Sequence, residues 1–213
     1  MKRTAQVIYA LLLLIMANFT VSAQNQSGPF AKDVPILYLG IDFTQVKVIN
    51  DASATPSDIK NRYFAGINLV VISEVKKYDW QKALDKSNYS IDLGIVTARN
   101  EKIDETKISS NNTADETRLK PGDIENLLQQ YDFSGKKGIG LVLFMESLSK
   151  SSENGTMWVT FVNMDTQKMI LTEKMTGKAM GFGFRNYYAY TVYKVIQDIK
   201  KNKLSEWRSK YGS

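Results

Sequence analysis

Apolar positions alternate with polar ones in some stretches of this chain and recur every three to four residues in others, and the two periods mark strands and helices. ILYLGIDFTQVKVI, from Ile36, sets Leu37, Leu39, Ile41 and Phe43 on one side and Tyr38, Gly40 and Asp42 on the other, as a core strand would. A helix then opens with Thr55 as cap, Pro56 in its first position and Asp58 facing the positive dipole end. Ile59, Tyr63, Ile67, Val70, Val71 and Val75 recur at helical spacing and form its apolar stripe. SIDLGIVTARNEKI alternates Ile91, Leu93 and Ile95 against Asp92 and Gly94, which predicts a second strand from Ser90 to about Ala98.

Between Asn100 and Lys120 charges, Ser, Thr and Asn dominate, so a polar excursion is expected there. PGDIENLLQQYDF predicts a short helix with Ile124, Leu127, Leu128 and Tyr131 on one face. Three strand-length runs follow, GIGLVLFMESLSK, MWVTFVNMD and KMILTEKMTG, separated by the turns SENG and DTQK and therefore antiparallel to one another. The chain closes on an amphipathic helix with Tyr188, Val192, Val195 and Ile199 in line. Together these elements predict an α+β fold, a mostly antiparallel sheet with helices packed on it, in one domain spanning residues 36–213.

The amino-terminal stretch changes the picture of where the chain works. MKRTAQVIYALLLLIMANFTVSA sets Lys2 and Arg3 before an apolar run from Val7 to Met16 and ends on small residues, the form of a secretory signal peptide. The run is shorter than the roughly 20 residues a spanning helix needs, so cleavage near Ala23 is expected, leaving a mature chain without a transmembrane segment in the periplasm or outside the cell. Residues 24–35 read as a flexible lead-in, with Gly28, Pro29 and Pro35 as breakers.

Composition then removes whole classes of chemistry. The absence of cysteine excludes disulfides, thiolate nucleophiles and lipid attachment at a cysteine, and the absence of histidine takes away the commonest general base and metal ligand. Loss of Lys2 and Arg3 with the leader lowers the formal charge from +6 to +4, a surplus concentrated in the terminal helix, where cations suit the negative dipole end. No cofactor, metal site or nucleic-acid partner is expected.

One motif carries most of the candidate chemistry. GKAMGFGFRNYYAY, residues 177–190, holds Gly177, Gly181 and Gly183 near a helix start, yet the spacing is not that of a phosphate-binding GxGxxG turn. The glycines are expected to make a tight reversal, with Phe182 and Phe184 filling a core corner. Arg185, Asn186, Tyr187 and Tyr190 are the candidate contacts to a partner, since guanidinium and tyrosine rings serve interfaces well. The alternative is a small-ligand binder or carboxylate-based hydrolase in which Asp42, Asp92 and Glu146 converge from neighbouring strands.

The run from Gly138 to about Lys201, with its unit Asp165-Thr166-Gln167-Lys168 between two strands, resembles the closing strand, strand, strand, helix portion of the curli-secretion-channel and penicillin-binding-protein-activator lipoprotein superfamily. More broadly, the chain is similar to exported proteins of Gram-negative bacteria. That superfamily is anchored through a lipidated cysteine, which this chain lacks, so anchoring and pore formation are not implied. What the resemblance implies is a compact module contacting other envelope proteins. The expected function is accordingly a non-catalytic periplasmic or secreted module that contacts an envelope protein or surface component.

Overall fold

The computed structural model describes residues 28–212. The expected leader and its cleavage point lie outside them. The strands are β1 (Ile36–Asp42), β2 (Lys47–Ile49), β3 (Tyr89–Ile91), β4 (Ser109–Ser110), β5 (Ile139–Ser149), β6 (Asn154–Asn163) and β7 (Lys168–Lys178). Pro56–Asp58, a π-helical turn Ile59–Tyr63 and Phe64–Ser73 run together as helix α1. Then come α2 (Trp80–Ala83), α3 (Gly94–Asn100), α4 (Pro121–Leu128) and α5 (Gly183–Asp198), which continues through a second π-helical turn, Ile199–Lys203, into α6 (Leu204–Tyr211).

All seven strands share one sheet with β5 at its centre. β6 pairs with β5 along its whole length, so β1 and β2 lie end to end on the opposite edge, β1 against Ile139–Phe144 and β2 against Ser147–Ser149. β3 and β4 flank them, and β7 closes the far side. The pairings β1–β3, β1–β5, β2–β4 and β2–β5 are parallel, and only β5–β6–β7 is antiparallel. The expected α+β fold with a mostly antiparallel sheet is therefore corrected to α/β, with helices on both faces. The cause is connectivity: helical segments separate β2 from β3 and β3 from β5, and a strand that returns through such a crossover enters parallel. Hairpin turns at 150–153 and 164–167 impose antiparallel pairing on the last three strands alone; the first lies two residues earlier than the expected SENG turn, whose Asn154 and Gly155 are already paired in β6.

Two local features depart from the alternation read along the chain. A β-bulge between Tyr38 and Gly40, where Gly40 adopts φ 101°, inserts one residue opposite β5. Tyr38, Ile41 and Phe43 consequently share a core face, while Leu39 lies in the core on the other face. The expected second strand stops at Ile91, because the Asp92 carboxylate accepts the Gly94 N–H at 2.8 Å and the chain turns into α3.

The larger core packs α1, α5 and α6 on the face carrying Ile41, Leu143 and Phe161. The smaller packs α3 and α4 on the face carrying Leu39, Phe144 and Trp158. The lead-in, from the first described residue, inserts Phe30 fully into the larger core, 5.0 Å from the Phe161 ring and 5.7 Å from that of Trp207. Buried Lys86 donates to the Pro29 and Ala31 carbonyls, and Arg208 to that of Phe30. The polar excursion supplies β4 and two 3₁₀ turns and sinks Ile103 and Ile108 into the larger core.

Candidate functional site

The three glycines of the 177–190 motif have separate tasks. A Cβ at Gly177 would lie 2.0 Å from the Thr191 carbonyl oxygen, so this glycine, with its cross-strand partner Gly155, lets α5 seat directly on the sheet. Gly181 and Gly183, at φ 124° and 73°, turn the chain from β7 into α5. Phe182 between them caps the helix with extended backbone and points outward. It is 96% exposed, whereas Phe184 is buried, so the expectation that both fill the core holds for Phe184 alone.

A cleft of about 380 Å³ opens beside Phe182. One wall is the start of α5 with Arg185 and Asn186, the other the first turns of α1 with Arg62, Tyr63 and Gly66. The Arg185 stem crosses Gly66, where a Cβ would approach its Cδ to 3.0 Å, and its Nε donates to the Asn186 side chain at 3.1 Å. Arg62 is paired with Asp58 at 3.2 Å and lies over the Tyr63 ring, which stacks on Phe184. Among the described residues Arg185 forms no ion pair. No side chain caps the first turn of α5 and no acid lies in it, so the local field is positive.

The other two expected contacts stand apart from this cleft. Tyr187 is half-buried beneath the Lys150 ammonium at 3.9 Å. Tyr190 sits beside Tyr193 and Lys77, farther along α5, where Lys76, Lys82 and Lys200 line a second, basic cleft. Helical rotation separates them from Arg185, because successive residues diverge by about 100°. Arg62, Tyr63 and Phe182 were not among the contacts expected from the sequence, which assigned Tyr63 to the apolar stripe of α1 and Phe182 to a core corner. The Gly-Phe-Gly triplet is the one signal that marked Phe182, and Arg62 and Tyr63 come from a distant segment.

The carboxylates of the alternative reading are each engaged. Buried Asp42 accepts from Arg99 Nε at 2.7 Å, from the Tyr131 hydroxyl at 2.7 Å and from the Thr44 N–H at 2.8 Å. Burial, reinforced by the Asp42 charge, pushes the Tyr131 hydroxyl well above its ordinary range and keeps it a neutral donor. Buried Glu146 occupies the bulge in β5, accepting from the Leu119 N–H and from Trp158 Nε1 at 2.9 Å, with Lys174 at 3.3 Å. Asp92 pairs with Lys136, whose hydrogen bond holds the carboxyl below its usual range. Three separate cations thus pair with three carboxylates, an arrangement that braces a fold. Among the described residues no group of three or more acidic, His or Cys side chains is placed to hold a metal ion, and no helix is long and apolar enough to cross a membrane.

No protein-family model matches this chain, and no curated protein matches it in sequence. Solved structures resemble it in three dimensions. A lipoprotein from Neisseria meningitidis is 12% identical at a TM-score of 0.34, over 79% of this chain and 98% of that one. A neuraminyllactose-binding hemagglutinin homolog from Helicobacter pylori is 11% identical at a TM-score of 0.36, over 91% of this chain and 95% of that one. Likeness at these scores carries no inference about fold or function.

Proposed function

We propose that this protein is a non-catalytic module that works in the periplasm or outside the cell and contacts an envelope protein or surface component through the corner formed by Phe182, Arg185 and Asn186. The observation that carries the reading is Phe182, a large apolar side chain 96% exposed at a glycine-flanked turn beside an arginine that forms no ion pair among the described residues. An aromatic ring with an adjacent guanidinium is the composition of an interface hot spot. Burying that ring against a partner contributes about 1.5–3 kcal/mol, enough to dominate a small contact. The leader-type amino terminus supports a contact outside the cytoplasm, and the missing histidine and cysteine, with each candidate carboxylate already paired, support a role without catalysis.

The test is photo-crosslinking in intact cells with benzoylphenylalanine at position 182, compared with position 210 on the exposed end of α6. A discrete adduct at 182 alone, abolished by Arg185→Glu, supports the reading. Identical adduct patterns at both positions, or indifference to Arg185→Glu, refute it.

A further inference from the structure

On the side of α1 away from the glycine corner lies a crevice of about 480 Å³ between α1 and α3. Its place follows from topology. β1 and β3 are adjacent and parallel, but the chain leaving β1 passes through β2 into α1 on the Ile41 face, whereas the chain leaving β3 enters α3 on the Leu39 face. Where neighbouring parallel strands send their helices to opposite faces, a crevice opens beyond the strands' carboxyl ends, and in open α/β sheets ligands bind there.

The crevice is held open by side chains standing in for a strand. Beyond Tyr38 the outer edge of β1 has left β3, and Asn68 and Asn100 take its place. Asn68 accepts from the Ile41 N–H at 2.8 Å and donates to its carbonyl at 3.1 Å, and Asn100 accepts from the Phe43 N–H at 2.8 Å while donating to the Ile41 carbonyl at 2.9 Å. The sheet edge is thereby satisfied from α1 and α3 at once, which fixes both walls relative to the strand. Phe64, Ala65, Leu69 and Leu93 give the walls an apolar strip, bordered by Asn61 on α1 and Thr97 on α3, and Leu69 remains 57% exposed. At the rim Lys60, carried by the π-helical turn, stands on the α1 side and Glu101 on the α3 side. Among the described residues neither belongs to an ion pair.

We propose that this crevice binds a small zwitterion with an apolar body, of the amino-acid or short-peptide class. Its carboxylate meets Lys60, its ammonium meets Glu101, and its side chain lies between Phe64, Leu69 and Leu93. The site is independent of the glycine corner, and its test does not involve Phe182 or Arg185.

The experiment is a titration of the 15N-labelled protein, followed by amide shifts, with leucine, leucyl-leucine, N-acetyl-leucine, leucinamide and isoamyl alcohol. Saturable shifts confined to α1, α3 and the end of β1 are expected for leucine or leucyl-leucine, with N-acetyl-leucine and leucinamide at least tenfold weaker. Lys60→Met should erase the difference between leucine and leucinamide, Glu101→Gln that between leucine and N-acetyl-leucine, and Ala65→Trp should fill the crevice and abolish the shifts. All three positions are half-buried or exposed, and an unchanged urea midpoint verifies that each variant folds. Absence of saturable shifts with both zwitterions overturns the proposal, as does equal binding of isoamyl alcohol, or binding that survives Ala65→Trp in a folded variant.

Discussion

Asp42 sits where two readings of this protein make opposite predictions. If it were a reacting group, its replacement would abolish an activity and leave the fold intact or firmer. In the structure it is instead a fully enclosed carboxylate, its side chain 0% exposed against 13% for Arg99, whose guanidinium also lies 4.4 Å from the Tyr131 ring centroid. Asp42→Ala removes four charge-assisted acceptor contacts, from Arg99, Tyr131 and both the N–H and the hydroxyl of Thr44, and leaves a guanidinium and a phenol hydroxyl without their carboxylate partner. Breaking a buried pair by deleting one partner costs about 3–5 kcal/mol. Arg99 keeps a little solvent access toward which it can rotate, so the lower end, about 3 kcal/mol, is the expected loss. For a chain of this length that corresponds to a fall of about 6–12 °C in Tm. Urea unfolding followed by tryptophan fluorescence measures it, with an unchanged m-value confirming a common unfolded state. Asp42→Ala/Arg99→Ala should be destabilised by at least about 1.5 kcal/mol less than the two single variants added together. A loss below about 1 kcal/mol for Asp42→Ala, or strict additivity in the cycle, would refute the structural role.

Phe30→Ala should cost about 3–5 kcal/mol by urea unfolding, because the ring is fully buried among aromatics; a loss below 1 kcal/mol would mean that the lead-in does not belong to the core. Phe182→Ser should leave the urea midpoint within about 0.5 kcal/mol of the parent, as its side chain is exposed, and a larger loss would place the ring against the fold. Gly177→Ala drives a methyl into the Thr191 backbone and should lower Tm well beyond Gly122→Ala, a change at a glycine of ordinary φ whose Cβ meets nothing; equal effects would contradict the close approach of α5. Burial, aided by the Arg208 charge, brings the Lys86 ammonium down to about 8 from 10.5. Between those values the unfolded chain binds more protons, so the stability of the parent relative to Lys86→Met should rise with pH from about 8 to 10.5 and stay flat below; a relative stability that falls across that window would contradict the burial.

How much of this was legible beforehand differs from element to element. α1 begins as its Thr55-Pro56 signal indicates, with the Asp58 N–H donating to Thr55 at 3.1 Å, and the hairpin strands lie where their turns set them. These depend on local backbone chemistry, which the sequence carries directly. The faces of β1 were misread past Gly40, since a period of two shows that residues alternate but not where one extra residue is inserted. Residues 92–98 alternate as a strand would, and the choice of helix was made by one carboxylate turning back on Gly94.

By itself, the sequence determined the missing thiol and imidazole chemistry, the capped helix and the three-strand meander, because each follows from residue type or near-neighbour spacing. Only the tertiary structure decided that the remaining strands run parallel, that Asp42, Asp92 and Glu146 each meet their own cation, that Phe182 faces water and that a crevice separates α1 from α3. Those outcomes rest on which distant segments share an edge or a face, and such pairing is settled by the packing of the whole chain.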